Sequence, residues 1–280
     1  MVKIFADSTC DLTQEKAKEL GVTLIPLTIN VDGKSYRDGI DITKKDFYEL
    51  LKTSKTLPTT SQANPNTFEE YYRPVIEAGD DIVVITLASK LSATYQSANI
   101  AASEFDEGRI FVVDSKSVSI GIEILVRYAV RLAKDTELSA KEIYEKVQST
   151  AEKTRVYAAI STLDYLVKGG RLNPQLAIIG GILNLFPIVE VRDGEIKPMK
   201  KVRGHNAAMK ALKDIIECND IDYSFDFEFG NADAEDKEKM YLDYIGDSIE
   251  NKECIIHNEL GSVIATHSGP GVIGMAFVIK

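Results

Sequence analysis

Apolar positions along the first half of the chain switch repeatedly between strand-like runs and helix-like spacing, and the switches mark out the elements. Lys3 to Ala6 is a short buried run closed by Asp7-Ser8-Thr9. Asp11 or Thr13 stands in cap position for a helix running to Leu20, with Gly21 as its stop. Val22 to Val31 is rich in β-formers, and Asp32-Gly33 is a turn signal. Thr43 with Asp46 opens a helix through Leu51, and a polar loop follows from Leu57 to Pro65. Phe68 to Ala78 has helical spacing, with Pro74 expected to kink it or start a new turn. Asp81 to Leu87 (DIVVITL) is the clearest buried strand in the chain. After it come a helix from Ser89 to Phe105, a strand from Arg109 to Val113 and a helix from Val118 to Ala133. Ser139 and Glu142 form a capping box for one more helix. Strands alternating with helices imply a doubly wound, mainly parallel sheet.

Near Thr154 the pattern changes. Val156 to Thr162, Ile188 to Arg192, Glu195 to Lys200 and Gly261 to His267 read as strands of a mixed, largely antiparallel sheet, with Asp193-Gly194 as a hairpin turn. Helices from Ala207 to Ile216 and from Ala234 to Ile249 pack between them. The expected fold class is therefore α/β in two domains. Residues 1–154 form the N-terminal α/β domain and residues 155–280 an α+β domain.

Composition narrows the function. With 280 residues, 44% of them hydrophobic, the chain has enough apolar material for a core and a lined pocket. A net charge of −10 speaks against nucleic acid, which needs a basic surface, and against an anionic membrane. Much of the acid lies between Asp214 and Glu259 and reads as a solvated face. Cys10, Cys218 and Cys254 are odd in number and lack zinc or redox spacing, which fits reduced thiols in a cytoplasmic protein. Met1 to Asp7 meets a charge too soon for a signal peptide. The most apolar stretch, Ala177 to Val191, is too short to span a bilayer, so no stable membrane insertion is expected.

Two hydroxyl clusters stand where an α/β sheet holds ligands. Thr59-Thr60-Ser61-Gln62 precedes a helix, and Ala88 to Gln96 (ASKLSATYQ) follows the clearest strand at its carboxyl end. Helix N-termini there favour an anion, and hydroxyls add neutral donors. A Ser or Thr before a helix is ordinarily a cap, but a cap uses one hydroxyl and these segments supply several. The second half adds Lys168-Gly169-Gly170-Arg171, Lys201 to His205 (KVRGH), and His267-Ser268-Gly269-Pro270-Gly271. Ala177 to Pro187 offers small and aliphatic residues, either as plain core or as a wall for an alkyl chain. Gly269 to Gly274 spells GxGxxG, but it leads into strand-like Met275 to Ile279 and leaves no room for the acidic residue a dinucleotide site needs. No Walker A or HExxH sequence occurs, and His205, His257 and His267 are too scattered for a metal site, so no cofactor is expected. Ser92 and His267, were they to meet across the cleft, would instead suit a hydrolase or acyltransferase.

Taken in order, these segments resemble the DegV family, whose characterised members are the fatty-acid-binding (FakB) subunits of bacterial fatty acid kinase. The resemblance runs nearly end to end. It is carried by Asp7-Ser8-Thr9 with Asp11-Leu12, Ile25-Pro26-Leu27, Tyr36-Arg37-Asp38-Gly39, Thr60-Ser61-Gln62, Leu91 to Gln96, Val113-Asp114-Ser115, Leu163 to Arg171 (LDYLVKGGR), Asn184 to Ile188, and His267 to Gly271. It implies a ligand between the two domains, a long-chain fatty acid whose carboxylate is held by Thr60, Ser61 and Ser92, with His267 and Arg203 near the head group and Arg171 near the mouth. It also implies a non-enzymatic carrier that presents its acid to a separate ATP-dependent kinase, which makes an acyl phosphate for phospholipid synthesis. Ala93 replaces the family's usual glycine after Ser92, and Ala88-Ser89 replaces its usual Ser-Ser.

Overall fold

A computed structural model describes residues 1–176 and 184–280. In chain order the first half forms β1 (Val2–Asp7), α1 (Gln14–Leu20), β2 (Val22–Ile25), β3 (Thr28–Val31), β4 (Lys34–Arg37), α2 (Lys44–Thr53) and β5 (Thr59–Ser61). It continues with α3 (Pro65–Glu77), β6 (Asp81–Thr86), α4 (Thr94–Ala102), β7 (Ile110–Asp114), α5 (Ile120–Asp135) and α6 (Ala140–Lys153). Local chemistry sets many of these ends. The Thr13 hydroxyl accepts from Lys16 N to start α1, left-handed Gly21 closes it, and the Ser139–Glu142 capping box starts α6.

An all-parallel sheet runs in the order β2-β1-β6-β7. Ile82, Val83, Val84 and Ile85 are all fully buried, as expected of a parallel strand covered on both faces. The α3–α4 pair and the α5–α6 pair both pack on β6, one pair to each face. The chain leaves β1 toward β2 on one side and returns to β6 on the other, so the gap at their carboxyl ends is a topological switch point. Beside it, β4, β3 and β5 make a small antiparallel sheet. Positive φ at both Asp32 and Gly33 gives the tight turn between β3 and β4.

The second half forms β8 (Thr154–Ala159), α7 (Asp164–Lys168), β9 (Leu185–Arg192), β10 (Glu195–Arg203), α8 (His205–Cys218) and β11 (Phe227–Asn231). Then come α9 (Glu235–Ile245), β12 (Ile255–Glu259), α10 (Ser262–Ser268) and β13 (Ile273–Val278). Six strands pair in the order β10-β9-β8-β13-β11-β12, antiparallel except for β11 with β12. Side chains alternate across this sheet. Tyr157, Ala159 and Ile188 face α8, where Met209, Leu212 and Ile216 complete one core. Val156 and Val191 face the other way, toward Ile120 and Ile124 of α5. The α5 helix touches β1 and β6 of one sheet and β8, β11 and β13 of the other, so it is the shared layer between them.

Several regions depart from the sequence reading. Gly261 to His267 is not a strand; it forms α10, with Val263, Ala265 and Thr266 buried. Its β-branched residues favour a strand only weakly, and tertiary packing overrides that preference. Thr59–Ser61 is a strand rather than loop, because β3 pairs with it, and the helix expected from Ser89 begins at Thr94. The sequence reading also missed β11 and β12. Both lie in the acid-rich stretch, where Glu228 is buried beside Arg127 of α5.

Asp7 ties the switch point together. One carboxylate oxygen accepts Leu87 N–H at 2.7 Å and the other accepts Thr9 N–H at 2.9 Å. Burial pushes its carboxyl up to about 6, against the lowering effect of those hydrogen bonds, and burial likewise pushes Asp11 up to about 7. An asparagine at position 7 has one acceptor oxygen and leaves a buried N–H unpaired. Asp7→Asn is therefore expected to lose about 1–3 kcal/mol in urea denaturation. Because the folded-state value lies above the ordinary carboxylate range, Asp7's protonation contributes stability that is full below about pH 4 and lost as pH rises through about 6. The gap between wild type and Asp7→Asn should accordingly be wider at low pH, and a gap that does not change with pH would contradict this.

Candidate functional site

Outside the carboxyl ends of β1 and β6, between the two sheets, lies a cavity enclosing about 930 Å³ of atom-free space, its mouth included. The wall is aliphatic. Val156, Ala158 and Ile160 come from alternate positions on and just after β8, Val189 and Val191 from β9, and Ile196 from β10. The first half supplies Leu27, Leu87, Leu91, Val118 and Ile120, and α10 supplies Val263 and Ile264. Gly274 on β13 keeps the floor open near Ile120, whose side chain would lie 3.5 Å from an added Cβ.

The polar lining is contiguous. Thr60 Oγ1 is 2.8 Å from His267 Nε2. His267 packs on Gly169, where an added Cβ would stand 2.3 Å from Nδ1; this is why a side chain has no room there. Gly169 O accepts from Arg171 Nη1 at 2.6 Å, and Arg171 Nε donates to Leu91 O at 3.2 Å, one residue before Ser92. Thr60, Gln62, Ser92, Arg171, His267 and Ser268 all line the cavity. Gln62 is held by its bond to Ser97 Oγ at 2.9 Å.

Protonation follows from burial. Desolvation, reinforced by the Arg171 guanidinium, holds the His267 imidazole down at about 4, so it is neutral near pH 7. Among the described residues, its Nδ1 is buried without a partner. An orphaned donor costs more than an orphaned acceptor, so the proton belongs on Nε2, donated to Thr60 Oγ1. The Thr60 hydroxyl proton is then free for a ligand. Ser92 Oγ accepts Thr94 N–H at 3.2 Å and lies 2.9 Å from Thr94 Oγ1; with both Thr94 groups donating, its own proton is free too. Two hydroxyl donors beside a guanidinium suit an acceptor-only anion such as a carboxylate.

The structure brings together Thr60, Ser92, Arg171 and His267 but not every residue the sequence proposed. Ser61 is exposed and accepts from Asn30 Nδ2, because successive residues of β5 point to opposite faces and only Thr60 faces the cavity. Arg203 is exposed at the end of the edge strand β10 and is not part of the lining. His267 sits in the last turn of a helix rather than at a strand end. Ala93 is exposed with φ −77°, a conformation that does not require glycine, so its methyl group meets no conflict. Of the proposed wall, Ala177 to Pro187, residues 177–183 lie outside the described residues, and Phe186 packs in the α8 core. The sequence reading missed the β8 and β9 wall, although the period-two apolar pattern of those strands was the available signal. Among the described residues, no cluster of three or more His, Cys, Asp or Glu could hold a metal, and no helix is long and apolar enough to cross a membrane.

Two helix-covered sheets around a mostly aliphatic cavity with one polar corner define the class. The family model described as "Uncharacterised protein, DegV family" matches residues 1–280, and the chain belongs to that family. It is 40% identical to a DegV domain-containing protein of Caldanaerobacter subterraneus subsp. tengcongensis over 282 residues, covering 100% of this chain and 99% of the other. A Clostridium acetobutylicum relative is 34% identical over 279 residues, with coverage of 100% and 99%. Among solved structures, a DegV family protein from Thermus thermophilus described by its fatty acid binding superposes with TM-score 0.87 at 31% identity, covering 100% of this chain and 99% of that one. A stearic-acid-binding protein from Eubacterium ventriosum gives TM-score 0.86 at 26% identity, with the same coverage.

The proton assignment has a direct check. In ¹H–¹⁵N NMR the His267 imidazole should titrate near 4 rather than the ordinary 6.5, with Nε2 carrying the proton at neutral pH. A midpoint near 6.5 would mean that the ring is solvated and the cavity corner is open.

Proposed function

We propose that this protein binds one long-chain fatty acid, holding its carboxylate with the Thr60 and Ser92 hydroxyls beside the Arg171 guanidinium, with His267 orienting Thr60, while the alkyl chain fills the aliphatic cavity. The observation that carries the reading is the contiguous polar corner, made of neutral donors and one cation, on an otherwise hydrocarbon-lined space between the sheets. The solved relatives described as fatty-acid binders support it. Each buried methylene contributes about 0.8 kcal/mol, so the tail supplies most of the affinity and the corner fixes which end faces out. The family resemblance extends the reading: a cytoplasmic carrier that presents its acid to a separate ATP-dependent kinase for acyl-phosphate formation, and is not itself an enzyme.

Serine-dependent hydrolysis or acyl transfer is disfavoured by the partners at hand. Nε2 of His267 is engaged by Thr60, and the bonds of Ser92 Oγ go to Thr94, so no Ser92–His267 nucleophile–base bond forms. Denaturing extraction and mass spectrometry of the purified protein should recover a long-chain acid. Thr60→Ala and Ser92→Ala should each weaken fatty-acid binding by about 1–3 kcal/mol in titration calorimetry. Wild-type affinity in both variants, or a protein that neither carries nor takes up any fatty acid, would defeat the proposal.

A further inference from the structure

Asp11 does not line the cavity, yet two helices that do, α5 and α10, both start at its carboxylate. Oδ1 accepts Gly261 N–H at 2.9 Å, at the residue that caps α10. Oδ2 accepts the hydroxyl of Ser119, the residue that caps α5. The grip is close: a Cβ added to Gly261 would stand 2.7 Å from Asp11 Oδ1. Both partners pay in backbone conformation, Asp11 at φ 61° and Ser119 at φ 60°.

The lead-in to α10 is held from the same side. Lys44 Nζ of α2 donates to Asp11 O at 2.7 Å and also to Glu259 O, and Tyr48 donates to Leu260 O at 2.9 Å. At its far end α10 rests on α7, where a Cβ on Gly269 would lie 2.5 Å from Tyr165. A helix of seven residues has few internal bonds, so its placement is set by what grips its ends. His267 lies about 9 Å along the axis from Gly261, at a rise of about 1.5 Å per residue.

We propose that Asp11 is a positioning residue for carboxylate recognition: by holding Gly261 N–H and the Ser119 hydroxyl together, it fixes α10 against α5 and thereby sets His267 against Thr60. This rests on the head-group reading above. A purely structural tie would affect every ligand alike, whereas a positioning role affects only ligands with a carboxylate.

The test compares palmitate with cetyl alcohol, which has the same tail and no charge, by displacement of a fluorescent fatty-acid analogue. Wild type should prefer the acid. Asp11→Gly removes the carboxylate while suiting the left-handed backbone; it should lose about tenfold of that preference, with alcohol binding changed by no more than about threefold. Asp11→Asn keeps an acceptor for Gly261 N–H and should recover most of the preference. Gly261→Ala pushes a methyl against the same carboxylate and should reproduce the loss, and it decides the matter if Asp11→Gly does not fold. Retention of the wild-type preference in Asp11→Gly and Gly261→Ala, or equal loss of acid and alcohol in them, overturns the proposal. A wild type that binds acid and alcohol equally overturns the head-group reading, and this inference with it.

Discussion

The structure depends on a sheet face that is apolar but only partly covered by protein. The strands β8 and β9 alternate strictly, so one face closes against α8 while the other must find apolar company elsewhere. The α5 helix supplies part of it through Ile120 and Ile124, and the cavity occupies the remainder. Apolar side chains that face a cavity lose packing partners on that side, and a hydrocarbon chain is a natural complement to them. The site is thus a place where the packing of two sheets is left incomplete, rather than a groove cut into a finished core.

The polar corner obeys the opposite constraint. Bringing a carboxylate next to hydrocarbon is costly unless its oxygens are satisfied. A cluster of buried cations would pay its own desolvation in the ligand-free state. Hydroxyls avoid this, because they can exchange partners among themselves, as Ser92 does with Thr94 and Thr60 with His267. One guanidinium, Arg171, anchored by the carbonyls of Gly169 and Leu91, supplies the charge. The neutral imidazole contributes direction: it takes one side of Thr60 and leaves the hydroxyl proton free on the cavity side.

The parts of the fold and site that were legible in the sequence were those decided locally. DIVVITL has the composition of a doubly covered strand, Asp193-Gly194 turns β9 into β10, and the Ser139–Glu142 box starts α6 where it should. Thr60 and Ser92 stood out in hydroxyl-rich segments, the first before a helix and the second at a strand end. The parts that were not legible were decided at long range. Whether Thr60 or Ser61 faces the cavity depends on the pairing of β5 with β3. The helical state of 262–268 depends on packing and on a bond from Gly261 to Asp11, 250 positions away. Arg203 and His205 shared a basic segment with no sign of direction, and the strand end leaves Arg203 exposed while His205 packs against Phe186.

This division bears on how selectivity arises. Tail contacts are many, weak and tolerant, since aliphatic walls grip any hydrocarbon of suitable length. Head contacts are few and depend on geometry, because a hydroxyl misplaced by a fraction of an ångström ceases to be a useful donor. The second half of the chain supplies His267 and Arg171 to this corner, and the first half supplies Thr60 and Ser92. The corner therefore exists only while the two halves keep their relative position. On the proposed reading, the shared helix α5 and the buried polar seam around Asp11 hold that position, so Asp11, which lines no part of the cavity, shapes head-group recognition from a distance.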